Sequence, residues 1–397
     1  MTANPRNALV AGAGIGGLAA AIALAARGID VHVCERRSEF PEEGAGIQIG
    51  PNGSRILRDL GVEKFLETKI ASPAALSVRD GATGRELTQL PLGSWIAERH
   101  GAPYWTAHRR DLHIALRARA DAEPRITITR GTGIVSFENR RDGIRATAAN
   151  GETFDAAVLI AADGLWSGLR DQISGSRKSD LIPVGKTAFR SVVPAAHLPP
   201  ELVPNAVHIW LSPGAHVVHY PVSGGEDIAL VVIADDVTRV EGWDSPIVAD
   251  VVKAKVGTFA QPLRTLVDSA DSWRNWSLYR MPRLTRWTSG RAALLGDAAH
   301  PVLPFLAQGA VMALEDAITL ANAIPAHGGD MEPALGEYER ARHTRVAKVA
   351  EASERNGRIY HMKGASALAR NAAMKMAPPS RVMAGFDWLY GWKPGAC

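Results

Sequence analysis

At 397 residues, 46% hydrophobic and 22% charged, the chain has the length for two lobes sharing a core and the makeup of an ordinary globular enzyme. A formal charge of +4, with arginines spread along the chain and no polybasic run, argues against a nucleic-acid partner and for mild attraction of small anions. The two cysteines, Cys34 and Cys397, make neither a disulfide framework nor a metal cluster, so no metal is expected and a reducing cytoplasm is.

Ala8 to Ala11 reads as a short buried parallel strand, and a helical pattern from Leu18 to Leu24 follows at once. In the turn between them Gly12 permits the tight bend, Gly14 lets a pyrophosphate approach the backbone, and Gly17 lets helix and strand pack closely. The helix N-terminus then offers unpaired N–H groups and a positive dipole end to phosphates. The stretch from Leu9 to Ala26 is apolar enough to mimic a signal or membrane segment, but it is interrupted by Gly12, Gly14, Gly16 and Gly17, and Arg6 is a thin basic leader. A soluble nucleotide-binding fold with no membrane partner is therefore expected. A second strand, Asp30 to Cys34, ends in Glu35, 23 residues beyond Gly12, where a carboxylate accepts both ribose hydroxyls of an adenosine. Its charge would repel a 2′-phosphate, so the site suits FAD or NAD rather than NADP. Arg36, next to it, and Gln48 are further candidate cofactor contacts.

The glycine-rich stretch Gly44 to Asn52 leads into a helix predicted over 53–60, with Asn52 as its N-cap. His108-Arg109-Arg110-Asp111-Leu112 opens another helix. Strands are predicted over 126–129, 133–137 and 144–148, and a buried one over 156–160 runs into Asp163-Gly164. From about Leu181 to Tyr279 the runs 187–193, 206–211, 216–220 and 228–233 are separated by Pro and Gly turns, as in a mostly antiparallel sheet. A strand at 292–295 resumes the nucleotide fold, followed by helices at 309–322 and 331–358.

The order glycine fingerprint, Glu35, Gly44-Ala45-Gly46-Ile47, His108-Arg109-x-Asp111-Leu112, Ala162-Asp163-Gly164, Trp287-x-x-Gly290-Arg291, Gly296-Asp297-Ala298-Ala299-His300-Pro301 and Ala307-Gln308-Gly309-Ala310 resembles the single-component, class A FAD monooxygenases of the para-hydroxybenzoate hydroxylase family. The resemblance covers nearly the whole chain and implies an α/β fold: a Rossmann-like, glutathione-reductase-type FAD-binding domain over 1–180 and 281–397, interleaved with a mostly antiparallel β substrate domain over 181–280, plus C-terminal helices. It puts Gly12, Gly14 and Gly17 at the FAD pyrophosphate, Glu35 on the adenosine ribose, and Arg109, Asp163 and Asp297 on the cofactor. It sets Gly309 and Ala310 at a helix start facing the flavin, where N–H groups stabilise the negative charge of the reduced ring. NADH or NADPH is the implied electron donor, and no second glycine fingerprint is expected for it. The chain is expected to be a monomer or homodimer.

Within the family the chain looks most like the salicylate hydroxylases, 6-hydroxynicotinate 3-monooxygenases and 3-hydroxybenzoate 6-hydroxylases. The implied reaction transfers oxygen from a flavin C4a-hydroperoxide, shielded from water, to an aromatic ring activated by ionising its hydroxyl. A base or proton relay is expected beside that ring. In His216-Val217-Val218-His219-Tyr220-Pro221, strand alternation puts His216 and Tyr220 on one face and His219 on the other. The resemblance turns the first two toward the substrate, and His300 is a third catalytic candidate with an equally good structural reading. Gln48 stands where the 6-hydroxynicotinate enzymes have a histidine, and Pro304 where the 3-hydroxybenzoate enzymes have a glutamine; Leu303-Pro304 looks like the salicylate hydroxylases. Gln48, Pro304 and Phe305 join His216 and Tyr220 as the expected pocket, with Val302 and Leu306 beside them. Arg190 reads as a surface ion pair or an anion partner. A salicylate-like aromatic acid is the favoured substrate and a hydroxypyridine carboxylate the alternative. An oxygen-independent flavin reductase and an FAD-binding redox sensor are the rivals of other classes.

Overall fold

The computed structural model describes residues 7–40, 45–203, 205–236 and 245–395; Arg6, Gly44 and Cys397 lie outside them. The expected opening is present as the strand Asn7–Ala11, the helix Ile15–Ala25 and the strand Asp30–Glu35. These join a six-stranded sheet whose order is 288–289, 292–294, 158–161, 7–11, 30–35, 126–130, parallel except for the short first strand. Parallel strands are buried on both faces, which is why they read as unbroken apolar runs.

One such run misled the sequence reading. The strand expected over 156–160 is two strands, Thr153–Ala156 and Val158–Ala161, in different sheets. Ala156 pairs with Ile144 in a three-stranded antiparallel sheet, whereas Val158 pairs with Ala8 in the parallel one. Between them the N–H of Ala157 donates to the Asn7 side chain at 2.9 Å. Periodicity in a fully apolar segment carries no sign of such a change of sheet.

A second, eight-stranded sheet has the order 245–247, 273–280, 182–194, 227–235, 215–222, 206–212, 75–80, 86–91. It is antiparallel apart from the pairing of Ala206–Ser212 with Ala75–Asp80. Two of its strands thus come from the chain well before residue 181. A small sheet of Gly46–Ile49, Trp105–His108 and Ile70–Ala71 bridges the two lobes, with Thr106 Oγ1 donating to the Pro221 carbonyl at 2.5 Å.

The helices Gly309–Ala326 and Met331–Tyr360 close the nucleotide lobe. On the longer one Met331, Leu335, Tyr338, Arg342, Val346 and Val349 form a buried stripe at helical spacing. Arg342 belongs in it because its guanidinium donates to Asp316 Oδ1 and Glu315 Oε2, each at 2.7 Å. Among the described residues no helix is long and apolar enough to cross a membrane.

Candidate active site

Gly12, Glu35, Asp163 and Asp297 lie at the carboxyl ends of four adjacent parallel strands, the edge at which open α/β sheets take ligands. Gly12 has φ +107°, and a Cβ there would lie 2.5 Å from the Ala162 carbonyl oxygen. A Cβ on Gly17 would lie 1.9 Å from the Gly12 oxygen, so both glycines are required by the protein itself. Gly14 differs: nothing lies within 4 Å of a Cβ built there, at the mouth of the helix that begins at Ile15. Neither that helix nor the one at Gly309 has a side-chain cap or an acidic residue in its first turn, so their leading N–H groups are available to an anion. Ala307, with φ +53°, turns the chain into the second helix.

The Glu35 carboxylate is buried and already accepts from the Ala13 N–H at 2.8 Å and the Arg37 N–H at 3.0 Å. These bonds fix its direction and leave lone pairs for hydroxyl donors. Arg36 is exposed beside it. Asp163 Oδ2 accepts from the Gly168 N–H at 2.9 Å, while its Oδ1 is buried without a protein partner. Burial pushes the Asp297 carboxyl up, against the pull of the Arg109, His300 and Arg170 charges. The open space at Gly14, the two uncapped helix starts, the oriented Glu35 and the orphaned Asp163 oxygen fit a dinucleotide.

Arg170, which the sequence reading did not select, ties these loops together. It is fully buried and donates to the carbonyls of Ala298, Leu165 and Asp297 at 2.7, 2.8 and 3.0 Å. Nothing local in the sequence marks a residue that bridges two turns 127 positions apart.

His216 and Tyr220 share a face of the strand Ala215–Val222, buried and about 13 Å apart along it at the usual strand rise. At one end of this row the Phe305 ring lies 5.6 Å from that of His216. At the other, Tyr220 lies against Gly46, where a Cβ would be 2.6 Å from its ring, and shares Gln48 with Tyr104, whose hydroxyl donates to Gln48 Oε1 at 2.7 Å. Burial pushes the Tyr220 and Tyr104 phenols up and the His216 imidazole down, so all three are neutral near pH 7. The Arg190 guanidinium stacks 4.3 Å from the Trp276 ring centre. Pro304 and Asp297 line a narrow cleft with Leu165, Trp276 and Tyr279. His219 faces away and stacks on His208 at 4.7 Å.

His300, the third catalytic candidate, has its Nε2 2.6 Å from Asp316 Oδ2 and its ring 4.9 Å from that of Trp287. One expectation is corrected. Asn52 is not an N-cap. The helix Pro51–Asp59 begins two residues earlier with Gly50 as its cap, because proline suits the first helical position. Asn52 Nδ2 instead donates to Gln308 Oε1 at 3.0 Å and Glu315 Oε1 at 2.8 Å, linking the two helix starts.

The sequence matches the FAD binding domain family over residues 6–353. It is 37% identical to 3-hydroxybenzoate 6-hydroxylase 1 of Aquipseudomonas alcaligenes over 388 residues, 97% of each chain. It is 34% identical to 6-hydroxynicotinate 3-monooxygenase of Pseudomonas fluorescens over 90% of this chain and 92% of that one. The structure of Klebsiella pneumoniae HpxO complexed with FAD and uric acid superposes with a TM-score of 0.84 at 27% identity, covering 96% of this chain and 95% of that one. A salicylate hydroxylase substrate complex, with a TM-score of 0.81 over 98% of this chain and 96% of that one, is 24% identical and shares the fold. With the glycine turn, Glu35, Asp163 and Asp297 at one sheet edge and a family match over most of its length, the chain belongs to the FAD binding domain family, among the class A flavoprotein aromatic hydroxylases.

Proposed function

We propose that the protein hydroxylates a small benzoate carrying a ring hydroxyl, with NADH or NADPH as electron donor and O2 as the source of oxygen. The observation that supports this most is the row from His216 to Tyr220: two buried polar ends separated by the apolar Val218 and facing Phe305 at the His216 end. A hydroxybenzoate has the same layout, a hydroxyl and a carboxylate across an apolar ring. In this reading Tyr220, with Gln48 and Tyr104 behind it, receives the carboxylate, and His216 exchanges a proton with the hydroxyl. Phe305, Leu303, Ala188, Ile233 and Leu278 form the apolar cluster that excludes water. Bound FAD supplies the redox chemistry, carrying electrons from the pyridine nucleotide to O2. Gly14, Glu35, Arg109, Asp163, Asp297 and the N–H groups at Gly309 and Ala310 would hold it.

Relatives at 34 to 37% identity are named for 3-hydroxybenzoate, which makes that compound the first to test and salicylate the second. The test is NADH or NADPH oxidation and oxygen uptake by the FAD-loaded enzyme with 3-hydroxybenzoate, salicylate, 4-hydroxybenzoate, 6-hydroxynicotinate and urate. A hydroxybenzoate should stimulate both and be recovered with one added oxygen. His216→Ala should slow that hydroxylation by about 10²-fold or more with FAD content unchanged. Stimulation by urate or by a large neutral polycycle, and by no benzoate, would overturn the proposal.

A further inference from the structure

His216 is the inner end of an unbroken hydrogen-bonded chain that reaches the surface. Its Nδ1 is 2.7 Å from Nε2 of His361, the residue that caps the end of the helix Met331–Tyr360. His361 Nδ1 is in turn 2.6 Å from Lys186 Nζ, on the strand Ile182–Pro194. Lys186 pairs with Asp235, whose side chain is 52% exposed. The four residues come from four separate elements, and the two imidazoles are buried.

The donors and acceptors along this chain have one consistent order. Paired with a carboxylate, Lys186 is an ammonium, which has donors and no acceptor. His361 Nδ1 must therefore accept, and a neutral His361 then carries its proton on Nε2 and donates to His216 Nδ1. That leaves the His216 proton on its remaining nitrogen, Nε2. Both rings are kept neutral, chiefly by burial and further by the Lys186 charge, with His361 held at about 4. The other groups around them are the Tyr360 ring, 5.2 Å from that of His216, and the Lys363 and Arg370 charges, which oppose protonation of His361 while Asp235 favours it.

Resting on the assignment of His216 to the substrate hydroxyl, we propose that His216, His361 and Lys186 form a proton relay joining that hydroxyl to solvent at Asp235. Outward, starting from the Lys186 amine and the two Nδ1–H rings that the inward transfer leaves, the phenol O–H breaks as His216 Nε2–H forms; His216 Nδ1–H breaks as His361 Nε2–H forms; and His361 Nδ1–H breaks as the Lys186 amine becomes an ammonium, which is in exchange with water. The end state is the arrangement deduced above. Inward, the same steps reversed return a proton to the oxygen of the departing product, so each cycle balances without any further acid or base. His361 and Lys186 are positioning residues in this relay, since neither touches the substrate.

The test follows the ionisation of a bound chromophoric phenol, 3-hydroxy-4-nitrobenzoate, in FAD-loaded protein, alongside the pH profile of hydroxylation. His361→Gln and Lys186→Met should raise the apparent pKa of the bound phenol by about one unit, a tenfold change in its ionisation constant. They should slow hydroxylation near neutral pH and recover at higher pH, where the phenol ionises without help. FAD content should not change. Lys186→Arg keeps the charge and the donor but cannot release a proton, so it should behave like Lys186→Met in turnover. Wild-type turnover in Lys186→Arg, or unshifted phenol ionisation in both other variants, would overturn the relay while leaving the hydroxylase reading intact. A wild-type enzyme that neither binds nor oxidises any hydroxybenzoate would overturn both.

Discussion

Asp316→Asn is expected to loosen the loop that carries Asp297. The Asp316 carboxylate takes three donors: the Gly296 N–H at 3.0 Å and His300 Nε2 at 2.6 Å on Oδ2, and Arg342 Nε at 2.7 Å on Oδ1. An asparagine of the same shape turns an NH2 group toward one side of that set, donor against donor, and leaves Arg342 with less compensating charge. Breaking a buried ion pair in this way costs about 3 to 5 kcal/mol. Unfolding entropy of about 2.1 cal/mol/K per residue gives roughly 0.8 kcal/mol/K for 397 residues, so Tm should fall by about 4 to 6 °C. The pH dependence gives a second measure. Burial pushes Asp316 up, but His300 and Arg342 outweigh it and hold the carboxyl at about 2, below its unfolded value. A depressed carboxylate adds stability that is full above about pH 4 and is lost as pH falls toward 2, about 2 to 3 kcal/mol in all. Calorimetry of the FAD-loaded protein, with flavin fluorescence reporting release, should show the lower Tm and a shallower acid loss in the variant. A Tm within one degree of wild type would refute the reasoning.

Gly14→Ala should leave the fold intact, because its φ of −74° is ordinary and no atom lies within 4 Å of the new methyl, yet weaken FAD binding by roughly tenfold or more by filling the space for the phosphates. A variant with unchanged far-ultraviolet circular dichroism and unchanged FAD affinity would remove the pyrophosphate from that turn. Glu35→Gln loses the charge from its hydrogen bonds to the ribose, worth about 1.5 to 3 kcal/mol, so the FAD dissociation constant should rise about ten- to a hundredfold in fluorescence titration of the apoprotein. An equal constant would show that Glu35 serves only the Ala13 and Arg37 N–H groups.

What was legible in the sequence is what local physics writes locally. The turn at Gly12 to Gly17 and the acid at the end of the next strand are dictated by backbone sterics and strand length, and the structure has the expected strands and helix at those positions. The alternation that puts His216 opposite to His219 is likewise a period-two fact. Illegible were the residues whose placement depends on tertiary contact. Tyr104 meets Gln48 across 56 positions, and His361 meets His216 across 145, with no motif around either. Arg342 sits in a charged helix and reads as solvated surface until Glu315 and Asp316 are brought under it. The strands Ala75–Asp80 and Glu86–Pro91 lack clean alternation, and the place of the first beside Ala206–Ser212 is a long-range pairing that sequence texture does not encode.

The strand Ala215–Val222 also shows why burial alone does not mark a functional histidine. His216 and His219 are 1% and 3% exposed, and burial pushes both imidazoles well down. By those measures they are the same residue. His219 faces the side of the sheet covered by the helices Ala249–Val256 and Gln261–Asp268, where it stacks on His208 beside Arg79. An imidazole stacked face to face on another exchanges no proton with it, because its ring nitrogens lie in the plane and not above it. His216 meets its neighbour edge-on through nitrogen, at 2.7 Å, and that neighbour ends in a lysine that fixes which nitrogen carries hydrogen. The difference between a packed histidine and one able to move a proton is the direction of its nitrogens, and here that direction leads from Phe305 to the solvent-exposed Asp235.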